Sequence, residues 1–235
     1  MQASAQAILN EIYTQANPEK AAILARFFKT GPGEYGEGDS FIGLTVPQIR
    51  NIAKRHHNTD LPVLAELLAS PIHEVRLTAL LALVYRFEKA KDQSRRDECA
   101  RFYIEHLDAA NNWDLVDLTC YKLLGPWLMD YSILHDWARS GHLWRQRVAI
   151  VTCMYRVRRG DFSDAFAIAD ILLHHPHDLI HTAVGWILRE AGKKDEHALV
   201  TYLLPRYRHM PRTMLRYAIE RFEEEKRQQF LQSRI

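Results

Sequence analysis

The chain has 235 residues, 47% of them apolar, and a formal net charge of only +2. That composition suffices for one large domain or a single repeat array and excludes disorder as the main state. Ten glycines and nine prolines fall mostly between apolar stretches, which argues against a loop-rich β-protein, and the longest near-apolar run, Leu77 to Phe87, is far too short to span a bilayer.

In chain order, residues 1–15 lack a basic start followed by an apolar block, so no secretory signal is expected. Ile8, Leu9, Ile12 and Tyr13 form the first helical stripe. Helix-start signals follow at Asn17-Pro18-Glu19 and Thr45-Val46-Pro47-Gln48. Between them Gly31-Pro32-Gly33-Glu34-Tyr35-Gly36-Glu37-Gly38-Asp39 reads as a structured loop. No Lys-Ser/Thr pair follows its glycines and no strand precedes them, while Glu34, Glu37 and Asp39 would repel phosphate, so a nucleotide cradle is poorly supported. Ser70-Pro71 announces the stripe Leu77, Leu80, Leu81 and Val84; Leu172, Ile180, Val184, Ile187 and Leu188 continue the habit, and Pro211 marks a further first turn. No run alternates strictly, so the chain reads as all-α. Cys99, Cys120 and Cys153 are odd in number and form no CxxC pair, which points to a reducing cytoplasm rather than a disulfide or zinc scaffold.

The spacing of these helices carries more information than their number. Five stretches, centred on Arg76, Asp117, Arg147, His181 and Arg216, share a polar residue with a small one two positions on, and in all but the His181 stretch an apolar or aromatic residue stands between. Their spacings of 41, 30, 34 and 35 residues average 35, the size of a two-helix repeat of the HEAT or armadillo kind. Stacked repeats would align the five side chains on one face. Three guanidiniums there would suit phosphate oxygens. The same column is equally an inter-repeat ladder of hydrogen bonds, and the pattern leaves both readings open. Residues 1–140 carry 15 Lys and Arg against 18 acids, and residues 141–235 carry 16 against 11, so the second part permits an anionic partner.

The segment Asn111-Asn112-Trp113-Asp114-Leu115-Val116-Asp117 holds the strongest chemical signal. Asn112 is a good N-cap, Asp114 suits the positive end of a helix, and Trp113 and Asp117 share a face four residues apart. Core packing for the Trp and capping or pairing for the Asp are the ordinary roles. Against them, Asp117 is the lone acid in a column otherwise basic or imidazole, and flanking arginines should hold it ionised. Trp186 is a second candidate because Gly185 beside it leaves room for a ring, although close helix packing explains such a glycine as well. His174, His175 and His177 straddle Pro176 and read as solvated turn residues rather than metal ligands. No HExxH, Cys-His pair or GxSxG elbow is present.

Taken together, these residues resemble the AlkD-type DNA alkylation repair family, the HEAT-like-repeat alkylpurine DNA glycosylases. The carriers are Tyr35–Asp39, Phe41-Ile42-Gly43-Leu44-Thr45-Val46-Pro47, Asn112–Asp117, Leu143-Trp144-Arg145-Gln146-Arg147, Gly185-Trp186-Ile187-Leu188-Arg189-Glu190 and Pro211-Arg212-Thr213-Met214-Leu215-Arg216, in order over most of the chain. The resemblance implies one domain over residues 1–235, a right-handed superhelical array of helical repeats with a concave DNA-binding groove. It also implies hydrolytic removal of cationic N3- or N7-alkylated purines such as 3-methyladenine and 7-methylguanine from duplex DNA.

By the same resemblance, Asp117 is the catalytic carboxylate, Trp113 and Trp186 flank the lesion, and Arg147 holds the backbone beside it. Arg76, His181, Arg189, Arg212 and Arg216 are the further expected DNA contacts. The Gly-rich loop departs from the best-studied AlkD enzyme and bears on lesion size and preference. No deep base pocket is implied, and a polar stripe without a cavity fits that. The expected protein is a cytoplasmic, nucleoid-associated monomer acting in base excision repair, with no metal, no cofactor and no membrane partner. A non-catalytic binder of DNA structure through Arg147, Arg189, Arg212 and Arg216 is the main alternative, and a protein-interaction solenoid is the other.

Overall fold

The computed structural model describes residues 4–234, and among them it is built of helices, with no strand. The described residues pack as two compact units, divided between Leu123 and Leu124. No helix of the described residues is long and apolar enough to cross a membrane.

The first unit runs α1 (Ala5–Tyr13), α2 (Pro18–Phe27), α3 (Val46–Arg55), α4 (Leu61–Leu68), α5 (His73–Lys89), α6 (Gln93–Glu105) and α7 (Trp113–Asp117). It ends inside α8 (Cys120–Trp127). Local chemistry sets the helix starts. Asn17 caps α2 by accepting from the Lys20 N–H at 3.0 Å, with Pro18 in the first turn. Gln48 Oε1 accepts from the Thr45 N–H at 2.8 Å, the return half of a capping box at α3. Helix α5 is buried from His73 through Val84 on every face, the signature of a central helix. Around it pack α3, α4, α6 and α7, with α1 against α3 and α4.

Residues 28–45 form the long connection between α2 and α3. It returns to the start of α5, where Ser40 N–H donates to Pro71 O (3.1 Å) and His73 N–H to Ser40 O (2.8 Å). Gly43 at φ +91° is required there, because a Cβ would sit 2.0 Å from Asn17 O.

The second unit comprises α9 (Ser132–Arg139), α10 (Leu143–Thr152), α11 (Met154–Val157), α12 (Ser163–Ile171), α13 (Asp178–Lys194), α14 (Glu196–Leu203), α15 (Arg212–Ala218) and α16 (Glu224–Leu231). Its central helix is α13, against which α10, α11, α12, α14 and α15 pack. Gly185 on α13 serves that packing. A Cβ there would lie 2.5 Å from Tyr217 Cβ and 2.6 Å from Met214 O, so the glycine makes room for α15 and not for a ligand.

The five aligned positions occupy equivalent places. Arg76, Asp117, Arg147, His181 and Arg216 are each the fourth or fifth residue of α5, α7, α10, α13 and α15. The repeat period of the sequence is therefore a real structural period.

Candidate functional site

The site in the first unit is assembled by buried carboxylates that hold the residue 28–45 connection against α5 and α7. Asp39 is the hub. Its carboxylate accepts from Arg76 Nη2 at 2.6 Å, His73 Nδ1 at 3.1 Å, Asn112 Nδ2 at 3.1 Å and Asn111 Nδ2 at 3.3 Å. Burial opposes its ionisation, but the His73, Arg76 and Asn112 donors outweigh that and hold its pKa below the ordinary carboxylate range. His73 bridges onward through Nε2 to Asp114 Oδ2 at 2.9 Å. Burial alone would strip its proton, yet hydrogen bonds and charge from Asp114 and Asp39 push its pKa up to about 9, so the imidazole is cationic at neutral pH.

Glu74, the next residue, binds backbone instead. Its Oε1 accepts from the N–H groups of Ile42 (3.1 Å), Gly43 (2.8 Å) and Leu44 (3.2 Å). Two successive residues at the start of α5 thus pin the connection at two points.

On this frame rests an aromatic stack. The Phe28 and Phe41 rings stack with centroids 5.1 Å apart, and both lie against His73, at 4.9 and 4.6 Å. Phe28 also stacks on Trp113 at 5.2 Å, and Phe27 meets Trp113 edge-on at 6.0 Å. Asn112 caps α7, accepting from the Trp113 N–H at 2.8 Å, while Asp114 Oδ1 accepts from the Leu115 N–H. These contacts fix the Trp113 ring and, one turn on, the half-buried Asp117.

Trp113 and Asp117 line one cavity of about 390 Å³. Its other walls include Ile23, Phe27, Phe28, Phe41, Leu44 and Val46. This corrects the expectation of a stripe without a cavity. The cavity lies among α2, the connection, the starts of α3 and α5, and α7.

Three further expectations change once packing is seen. Arg76 is only 4% exposed, and its guanidinium is spent on Ala109 O, Ser70 O, Asp39 and Asn111. A buried guanidinium so occupied has no face to offer a phosphate. His181 is buried too, with Nε2 on His175 O and Nδ1 on Asp178 Oδ1. In the second unit Arg147, also 4% exposed, donates Nη1 to Leu179 O, linking α10 to α13. Arg76 and Arg147 bond to carbonyls in the following repeat, as the ladder reading has it, whereas His181 is bonded within its own repeat.

The other second-unit residues differ in their surroundings. Trp186 is half-buried on α13. Arg189 is met by Glu220 through Nη1 and by Glu190 at 3.7 Å from Nε, so its charge is largely compensated. Arg212 and Arg216 are exposed, with Arg212 Nη2 donating to Leu231 O at 2.8 Å. His175, expected to be a solvated turn residue, is half-buried, its Nε2 paired with Gln146 Oε1 at 3.0 Å.

Sequence reading missed Asp39, His73, Phe27, Phe28 and Phe41 as site builders. A signal existed in the pair Phe27-Phe28 just before the glycine-rich segment, since two adjacent rings cannot both enter the core from one helix face. Phe28 is buried and Phe27 is 61% exposed.

Comparison with known proteins supplies the class. A family model described as DNA alkylation repair enzyme matches residues 8–222. The chain therefore belongs to the DNA alkylation repair enzyme family. Among solved structures it is similar to one described as a predicted DNA alkylation repair enzyme from Enterococcus faecalis. The match has a TM-score of 0.67 at 16% identity and covers 89% of this chain and 98% of that one, a likeness of fold. No curated protein matches the sequence. The family supports a role in alkylation DNA repair, with DNA as the partner.

Proposed function

We propose that the chain is a monofunctional DNA glycosylase that hydrolyses the N-glycosidic bond of cationic N3- and N7-alkylated purines in duplex DNA. In this reading it acts as a cytoplasmic monomer without metal or cofactor. The observation that carries the proposal is the placement of Trp113 and Asp117 along one cavity, with the tryptophan ring braced by Phe27 and Phe28.

The chemistry asks little of an acid catalyst. A purine alkylated at N3 or N7 is positively charged, and it takes the C1′–N bonding electrons as it leaves, becoming neutral. Positive charge develops on the deoxyribose, where a fixed carboxylate such as Asp117 stabilises it. Water then bonds to C1′ and gives up its proton, for which Asp117 is a positioned acceptor. The Trp113 face adds about 0.5–2 kcal/mol of attraction for the cationic base or sugar. The base itself stays outside the cavity, because walls of hydrocarbon offer no partners for its N–H and C=O groups, and stranding them is costly.

The test is release of 7-methylguanine and 3-methyladenine from methylated duplex DNA by wild type and by Asp117→Asn. Release by wild type and its loss in a folded mutant is the expected result. A mutant as fast as wild type removes the role given to Asp117. Duplex binding without any release favours the non-catalytic binder.

A further inference from the structure

The cavity beneath Trp113 is larger and more apolar than the chemistry above requires. A methyl group needs almost none of it. An apolar cavity of about 150 Å³ already takes up a benzene ring, and this one measures about 390 Å³. Its polar lining groups are mostly committed to the protein. His73 bridges Asp39 and Asp114, and Glu74 holds three backbone N–H groups. The charged lining residues that reach solvent are Asp117, on α7, and Lys20, on α2.

Helix α2 contributes a wall without burying any residue of its own. Ile23 and Phe27 are 60% and 61% exposed although both line the cavity. Two of the six large hydrophobic side chains exposed among the described residues thus border one opening. Apolar surface concentrated around a cavity marks a ligand site more than scattered exposure does.

We propose that this cavity receives the hydrocarbon substituent of a cationic alkylated purine, so that the protein favours lesions bearing a benzyl-sized or larger apolar group over methylated ones. The nature of the cation rests on the glycosylase reading above. The division of labour follows from the walls. The charged heteroaromatic ring keeps its polar edges in solvent or DNA and its charge near Asp117 and the Trp113 face. The substituent alone enters among Phe27, Phe28, Phe41 and Val46, exchanging water for hydrocarbon. Lys20 opposes the cation only from an exposed position, where solvent screens its charge.

Two probes separate the substituent from the charge: 7,9-dimethylguaninium and 7-benzyl-9-methylguaninium, titrated calorimetrically into the full chain. The benzyl cation is expected to bind about tenfold more tightly or better, the scale set by one or more methylenes in a fitted pocket. Val46→Trp, which fills the cavity from the half-buried start of α3, should close that gap; the exposed Phe27→Ala should narrow it and serves if the first variant misfolds. In parallel, release of 7-benzylguanine and 7-methylguanine from duplex DNA is compared. Benzyl-selective binding with no release of any base retains the cavity's role and removes the glycosylase. Release of 7-methylguanine with equal affinity for the two cations, unmoved by either variant, overturns the inference and leaves the glycosylase standing. Equal affinity without release overturns both.

Discussion

Replacing Asp39 by asparagine tests whether the buried carboxylate chain holds the site together. Asp39 accepts from Arg76, His73, Asn112 and Asn111 within 2.6–3.3 Å. Asparagine keeps one acceptor oxygen and turns an amide donor toward groups that are themselves donors. Breaking a buried ion pair in this way costs about 3–5 kcal/mol.

The pH dependence sharpens the test. His73 holds its proton in the folded protein up to about pH 9, against 6.5 for a free imidazole. Its contribution is therefore complete below about pH 6.5 and is lost as pH rises through 9, a change of about 3 kcal/mol for two and a half pH units. Asp39 works in the opposite sense. Its depressed pKa contributes above the usual carboxylate value and is lost in acid. In Asp39→Asn, His73 keeps only Asp114, so its pKa falls and the alkaline loss becomes smaller and begins lower. Urea denaturation from pH 6 to 10, with the His73 ring followed by NMR, measures both effects. A penalty under about 1 kcal/mol at pH 7, or a wild-type profile level from pH 6.5 to 9.5, would refute the reasoning.

Glu74→Gln should weaken the second anchor by about 1–3 kcal/mol, because three backbone donors lose a charged acceptor. Hydrogen exchange at the amides of Ile42, Gly43 and Leu44 reads it, and unchanged protection there would count against the anchor. Arg76→Ala and Arg216→Ala should behave as opposites. The first removes the buried partner of Asp39 and destabilises by about 3–5 kcal/mol. The second, at an exposed position, leaves stability within about 0.5 kcal/mol. It should lower the salt slope of duplex binding by about one. The reverse pattern would restore the phosphate-stripe reading of the column.

Helix starts and the all-α class were legible in the sequence because each depends on residues within about a turn of one another, and the repeat period because the same local pattern recurs along the chain. Asn17, Thr45 and Asn112 cap helices for reasons local to their own turns. Positions 76, 117, 147, 181 and 216 align because each repeat places the same point of a helix at the same spacing. The pairing of Trp113 with Asp117 was readable on the same ground, four residues on one short helix.

Tertiary packing decided the rest. The column offered guanidiniums to phosphate or to neighbouring backbone, and only burial shows that Arg76 and Arg147 point to carbonyls 33 and 32 residues away. In the sequence Asp39 is one of three acids on a structured loop. It became the hub because α5 and α7 bring Arg76, His73, Asn111 and Asn112 to it from 34 to 73 residues along the chain. The cavity needs Phe27, Phe41, Val46 and Trp113 together, and no periodicity links them. Local propensity writes helices into a sequence at short range, whereas a buried charge or an open space exists only where distant segments meet.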